Sequence, residues 1–250
     1  MPPKKRTATT ATTKAKKAKA SHTATATTTA DMTPKTSSRP RSARNAPVAA
    51  DSTTFNAKKC ASWFQSYEDP DEEGMVGPEG MEKLCSDLGI ELASIEILII
   101  AWRLGAQNMG FFKKSEWLDG MKKLQVDSTD SLAKLLPSLA RIYDSPSEFK
   151  ELYMFAFAFA KEEDQKSLSI EHAQGMWQIL CPPDRFEHIE PFLRFIAEKH
   201  PVKVVNKDQW RSFIEFSNVV DADLAGYDES SAWPVLFDDY VAWQRAQKKQ

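Results

Sequence analysis

Asp69-Pro70-Asp71-Glu72-Glu73-Gly74-Met75-Val76-Gly77-Pro78-Glu79-Gly80 is the stretch on which the fold turns. Laid on the EF-hand calcium-loop template, it has acids at positions one, three and five, glycine at six and Val76 at eight. Position twelve is Gly80, where a bidentate Glu belongs, so a calcium ion here loses two of its oxygens. Pro70 restricts the loop further. A second loop fails in the opposite way. Gly105, Gln107 and Met109 occupy its first three ligand slots, while Gly110, Phe112 and Glu116 fit the remainder. The pair predicts linked EF-hands that lack the chemistry for calcium.

Outward from these loops the periodicity is helical, and no alternating stretch is long enough to predict a strand. Helices are predicted over 55–67, 77–88, 93–104 and 113–124. Another starts at Asp127 or Ser128 and runs towards Tyr143, with Pro137 as a kink. Ser145-Pro146-Ser147-Glu148 is a helix start with a capping Ser, Pro at the first position and Glu at the third. The alternation Phe155-Ala156-Phe157-Ala158-Phe159 imitates a strand, but its flanks and alanines favour helix. Ser169 opens a helix that Pro182-Pro183 ends, and 184–199 and 206–219 follow. In the last helix Ser231 is the predicted cap and Pro234 lies in the first turn. Trp233, Leu236, Phe237, Tyr240 and Val241 form its buried stripe, and Asp238 or Asp239 faces solvent near Ala232.

Charge divides the chain. Residues 1–59 hold thirteen Lys/Arg and two acids, +11, so a net charge of −2 leaves −13 on residues 60–250. Residues 1–54, almost all Ala, Thr, Ser, Lys, Arg and Pro, read as a disordered basic tail before a helical domain over 55–245. The clusters Pro2-Pro3-Lys4-Lys5-Arg6 and 14–19 fit a nuclear-import signal and so a protein of nucleus and cytoplasm; a solubilising tail and a DNA contact are the other readings. An acidic body points to basic protein partners rather than nucleic acid. No apolar run approaches the ~20 residues of a membrane span, and the start lacks a secretory apolar core.

No constellation for catalysis is visible. His22 lies in the tail, His172 and His188 on charged helical faces and His200 at a helix end, without HxH or HExxH spacing. Cys60, Cys85 and Cys181 have neither disulfide nor metal spacing, and Cys181 reads as a buried structural thiol. There is no phosphate loop and no nucleophile elbow. The chain reads as a binder without cofactor or metal.

Longer motifs identify a family. Asp208 in NKDQW, Ala232 in SSAWPVL and Asp238 in FDDYV closely resemble the Asp–Ala–Asp patch of the defective-in-cullin-neddylation, or potentiating-neddylation, family. DLGIELASIEILIIAWRL, SEWLDGM and FKELYMFAFAFAKEEDQKSL extend the resemblance over about 55–243. It implies an all-α protein of two packed EF-hand-like helical units without metal. It also implies a scaffold-type co-ligase that attaches a ubiquitin-like modifier to cullins without a catalytic centre of its own. One surface, around Asp208, Ala232 and Asp238, would hold the cullin's winged-helix domain, with its RING subunit nearby. The other would take the acetylated N-terminal tail of the conjugating enzyme. By the same resemblance that pocket comprises Met81, Leu84, Ala93, Ile97, Ile100, Ala101, Met109, Phe112, Phe159, Met176, Ile179 and Leu180. Met109, Gly110, Pro78 and Met176 depart from Gln, Cys, Ile and Tyr of some relatives, removing polar partners and making the pocket more adaptable. The protein is expected to be a monomer. The alternative reading is a calcium-responsive adaptor derived from EF-hands.

Overall fold

The computed structural model describes residues 54–162 and 164–248. The expectations of disorder and nuclear import fall almost wholly on residues 1–53, outside the described residues.

The first EF-hand-like unit comprises α1 (Ala57–Gln65), α2 (Pro78–Leu88), α3 (Ile95–Leu104) and α4 (Lys114–Leu124). Each of its loops contributes a two-residue strand, β1 (Met75–Val76) and β2 (Phe112–Lys113), antiparallel with Val76 opposite Phe112. These are the template's eighth positions, the rung where paired EF-hands join. Gly74 and Gly110 at position six have φ of +83° and +87°, which only glycine adopts without strain. Glu68 accepts from the Gly74 amide at 2.6 Å, and Lys114 Nζ stands 4.0 Å from the same carboxylate.

The second unit repeats the plan with α6 (Pro146–Phe159), α7 (Ile170–Leu180), α8 (Ile189–Lys199) and α9 (Lys207–Val219). Its strands β3 (Leu168–Ser169) and β4 (Val204–Val205) pair in the same way. These four two-residue strands, paired as two rungs, were too short for periodicity to reveal. Between the units runs α5 (Thr129–Leu139), capped at Ser128, and α10 (Val235–Gln247) closes the chain. The fold is all-α, and no described helix is long and apolar enough to cross a membrane.

One polar network organises the second unit's core. The rings of Tyr153 and Trp210 stack at 4.4 Å, and those of Trp210 and Trp177 at 5.1 Å. Trp177 Nε1 donates to the Tyr153 hydroxyl at 2.7 Å, which donates to the Trp210 carbonyl at 2.8 Å. Trp210 Nε1 donates in turn to the Tyr153 carbonyl at 2.9 Å. All three side chains are fully buried with their polar tips satisfied. This joins α6, α7 and α9.

Several expectations are corrected. The helix expected over 184–199 begins only at Ile189, because Arg185 and Phe186 both donate to the Pro182 carbonyl and Phe186 is drawn into the core. The helix expected to run towards Tyr143 becomes a 3-10 turn over Ala140–Asp144; Pro137, lacking an N–H, weakens the preceding turn. The last helix is three residues shorter than expected at its start: Pro234, not Ser231, precedes it, while Asp228 accepts from Ser230 and Ser231. His188 is no surface group. It is 2 % exposed, with Nε2 2.9 Å from the Val220 carbonyl and Nδ1 3.0 Å from the Tyr240 hydroxyl. A carbonyl only accepts, so Nε2 carries the proton, leaving Nδ1 to accept from Tyr240. The ring thereby fastens the start of α8 to the end of α9 and to α10.

Two predictions follow from this packing. A Cβ at Gly80 would meet the Tyr67 carbonyl oxygen and approach Val76 Cγ1 to 2.8 Å. Gly80→Glu, although it supplies the missing ligand type, should lower stability by about 1–3 kcal/mol and confer no calcium-dependent rise in melting temperature; such a rise would restore the adaptor reading. His188→Ala strands a buried carbonyl and a buried hydroxyl, so urea denaturation should show a loss of about 2–4 kcal/mol.

Candidate functional site

An apolar cavity of about 300 Å³ lies where the two units meet. The first unit supplies Met81 from α2, Ala93 and Ser94 before α3, Ile97, Leu98 and Ala101 on α3, and Met109 from the second loop. The second supplies Phe159 at the end of α6, with Met176 and Ile179 from α7. Helical spacing explains the convergence: 97, 98 and 101 share one face of α3, and 176 and 179 one face of α7. Ser94 contributes the wall's one polar side chain, and its hydroxyl is shut off from solvent without a hydrogen-bond partner. At the rim Leu92 and Met109 are 48 % and 43 % exposed, uncommon for large apolar side chains.

Eight of the pocket residues expected from sequence line this cavity: Met81, Ala93, Ile97, Ala101, Met109, Phe159, Met176 and Ile179. Leu84, Ile100, Phe112 and Leu180 do not. They have no exposed surface and belong to the packed core. Leu92, Ser94 and Leu98 belong to the wall although the sequence did not single them out. Leu92 and Ser94 sit in a turn before a helix start, where periodicity carries no signal.

The acidic set lies on α9 and α10. Asp208 occupies the first turn of α9, which Asn206 caps through the Gln209 amide at 2.8 Å. Its carboxylate is largely exposed and pairs with Arg211 at 3.0 Å. Ala232 is exposed at the apex of a three-residue turn closed by the Trp233 amide on the Ser231 carbonyl at 2.8 Å. Asp238 and Asp239 are both exposed in the opening turns of α10. Phe216 of α9 packs on Tyr227, Trp233 and Phe237, which ties these elements together. Asp208 stands eight residues before Phe216, about 12 Å along the helix, so it lies well apart from Asp238, which follows Phe237.

Tyr227 donates to Asp238 in a short hydrogen bond. Burial, then the bond and charge of Asp238, push the Tyr227 phenol up to about 12. It therefore keeps its proton as a donor throughout the neutral range. Arg245 lies 5.5 Å over the same ring and pairs with Glu229 at 2.7 Å. Cys181 is buried, and desolvation raises its thiol well above the ordinary range, against any role as a nucleophile. Among the described residues no three His, Cys, Asp or Glu side chains converge as metal ligands.

Comparison with known proteins places the chain in a family. A family profile described as "Cullin binding" matches residues 131–243. Human DCN1-like protein 5 is 44 % identical over 214 residues, 86 % of this chain and 89 % of its own. The mouse protein of that name is 46 % identical over 191 residues, 76 % and 79 % of the two chains. DCN1-like protein 4 of Drosophila melanogaster is 40 % identical over 196 residues, 78 % of each. The chain belongs to the DCN1-like, cullin-binding family, and its role lies in cullin neddylation.

The Tyr227 contact is testable. Tyr227→Phe frees the Asp238 carboxylate to swing, and isothermal titration with a cullin should show about three- to tenfold weaker binding, the worth of one charge-assisted hydrogen bond. Stability should fall by less than about 1 kcal/mol, since Asp238 is exposed.

Proposed function

We propose that this protein is a monomeric, non-catalytic co-ligase that holds two partners at once. The apolar cavity takes the acetylated N-terminal methionine of a neddylation conjugating enzyme. The surface around Asp208, Ala232 and Asp238 takes the basic face of a cullin's winged-helix domain. The transfer chemistry stays with the conjugating enzyme and the ligase's RING subunit.

The observation that carries this reading is the cavity's wall, apolar but for Ser94, with an exposed apolar rim. A methionine side chain buried there contributes about 1.5–3 kcal/mol. A free α-ammonium brought to the same wall would cost several kcal/mol for want of a counter-charge. Acetylation removes that charge and so switches the contact by desolvation alone. On the other surface, exposed ion pairs contribute only ~0–1 kcal/mol each, so Asp208 and Asp238 orient a partner more than they hold it. Ala232 lets that partner approach closely. Weak contacts suffice when both partners are bound, because each then sees the other at raised effective concentration.

Fluorescence polarisation with labelled conjugating-enzyme tails, acetylated and free, tests the reading. The acetylated tail should bind at least about tenfold more tightly, a difference of roughly 1.4 kcal/mol. Met109→Glu, at the exposed rim, should abolish the preference while leaving the melting temperature unchanged. Equal affinity for both tails would sink the proposal.

A further inference from the structure

A second cavity, of about 360 Å³, opens between α6, α9 and the turn before α8, and neither of the two partners proposed above occupies it. Its floor is aromatic: the ring of Phe149 lies 5.0 Å from that of Tyr143 and 5.5 Å from that of Phe186. The Tyr143 hydroxyl is already spent on the Leu180 carbonyl at 2.9 Å, so the floor presents ring surface. The charged groups among the lining residues are Lys150, Arg185, Arg211 and Glu215. That is three cations to one acid, on a body whose net charge over residues 60–250 is −13.

Those cations are loosely held. Lys150 and Arg211 share Glu215 at 3.8 and 3.6 Å, and Arg211 also reaches Asp208 at 3.0 Å. All of these groups are substantially exposed, and such pairs exchange readily for another carboxylate. Arg185 rests 4.8 Å over the Tyr143 ring, and among the described residues no carboxylate pairs with it. Arginine forks match carboxylates two bonds at a time, and stacking on a ring leaves the fork's edge free to do so.

We propose that this cleft binds a short acidic peptide segment of a partner protein. One aromatic or aliphatic side chain of the segment seats on the Phe149 floor. Its flanking carboxylates meet Arg185, Arg211 and Lys150. Charge complementarity selects this occupant. The chain's own N-terminal segment, with thirteen Lys/Arg against two acids over residues 1–59, would be repelled from this rim. A long polyanion such as nucleic acid meets only three cations here and is repelled by the acidic body beyond the cleft. A short acidic peptide seated in the cleft lies within about one 10 Å screening length of Arg185, Arg211 and Lys150. Drawing Arg211 towards such a ligand also loosens its hold on Asp208.

The test uses the full chain and three fluorescein-labelled peptides: Glu-Asp-Glu-Phe-Asp-Glu, the same peptide with Ser for Phe, and Lys-Arg-Lys-Phe-Arg-Lys. The first should bind, weakening several-fold between about 50 and 300 mM salt, and the other two should bind at least tenfold more weakly. Arg185→Glu, an exposed change that leaves the melting temperature in place, should weaken the first peptide at least tenfold. No binding of the first peptide, binding indifferent to Arg185→Glu, or equal binding of the basic peptide would overturn the proposal. So would sedimentation showing self-association of the chain that Arg185→Glu abolishes, which would make a second copy the occupant.

Discussion

The stack of Tyr153, Trp177 and Trp210 is the constraint on which both the apolar cavity and the acidic surface rest. It takes one large aromatic from each of α6, α7 and α9 and satisfies every polar tip within the stack. Buried polar groups are costly when unpaired and directional when paired, so this arrangement sets the relative positions of three helices more tightly than apolar contact could. From α6 and α7 come the cavity residues Phe159, Met176 and Ile179; from α9 comes Asp208. A slip of one helix against another would disturb both surfaces together.

The EF-hand plan survives here although most of its ligand positions are gone, because the parts that shape the backbone remain. Gly74 and Gly110 still turn the loops, and Val76 still faces Phe112 across the short rung. The ligand positions went to other work. Glu116, the one residue that still fits position twelve, accepts from the Lys113 amide at 3.0 Å and so caps α4. At the other loop Gly80 is packed too closely against Tyr67 for any side chain. A calcium sensor opens and closes its helices on binding. Here Gly80 and Glu116 are committed to packing and capping instead.

Much of this was legible in the sequence, for identifiable reasons. Long amphipathic helices declare themselves by period, and local signals such as Ser145-Pro146 and Ser169 placed starts to the residue. What periodicity cannot separate is a residue that faces a cavity from one buried behind it. Ile97 and Ile100 are equally apolar and one turn apart on α3, yet only Ile97 lines the wall. Nor can it anticipate pairings across long sequence distance. His188 sits among charged neighbours, Arg185, Glu187 and Glu190, so it read as a surface residue; its partners Val220 and Tyr240 are 32 and 52 residues away. Four two-residue strands carry no period at all.

His188 also bears on how the acidic surface keeps its shape. The segment from Val220 to Pro234 has no regular secondary structure, yet it carries Tyr227 and Ala232. Such a segment gains definition only from its ends and from side chains that anchor it. His188 holds the Val220 carbonyl at one end and the Tyr240 hydroxyl of α10 beyond the other. Phe216 packs against Tyr227 and Trp233 in between, and Tyr227 orients Asp238. Acids that contribute little each in free energy become selective once their directions are set, because a partner must then match a fixed pattern of charge rather than a diffuse one. The surface is therefore defined less by Asp208, Ala232 and Asp238 themselves than by the buried groups beneath them.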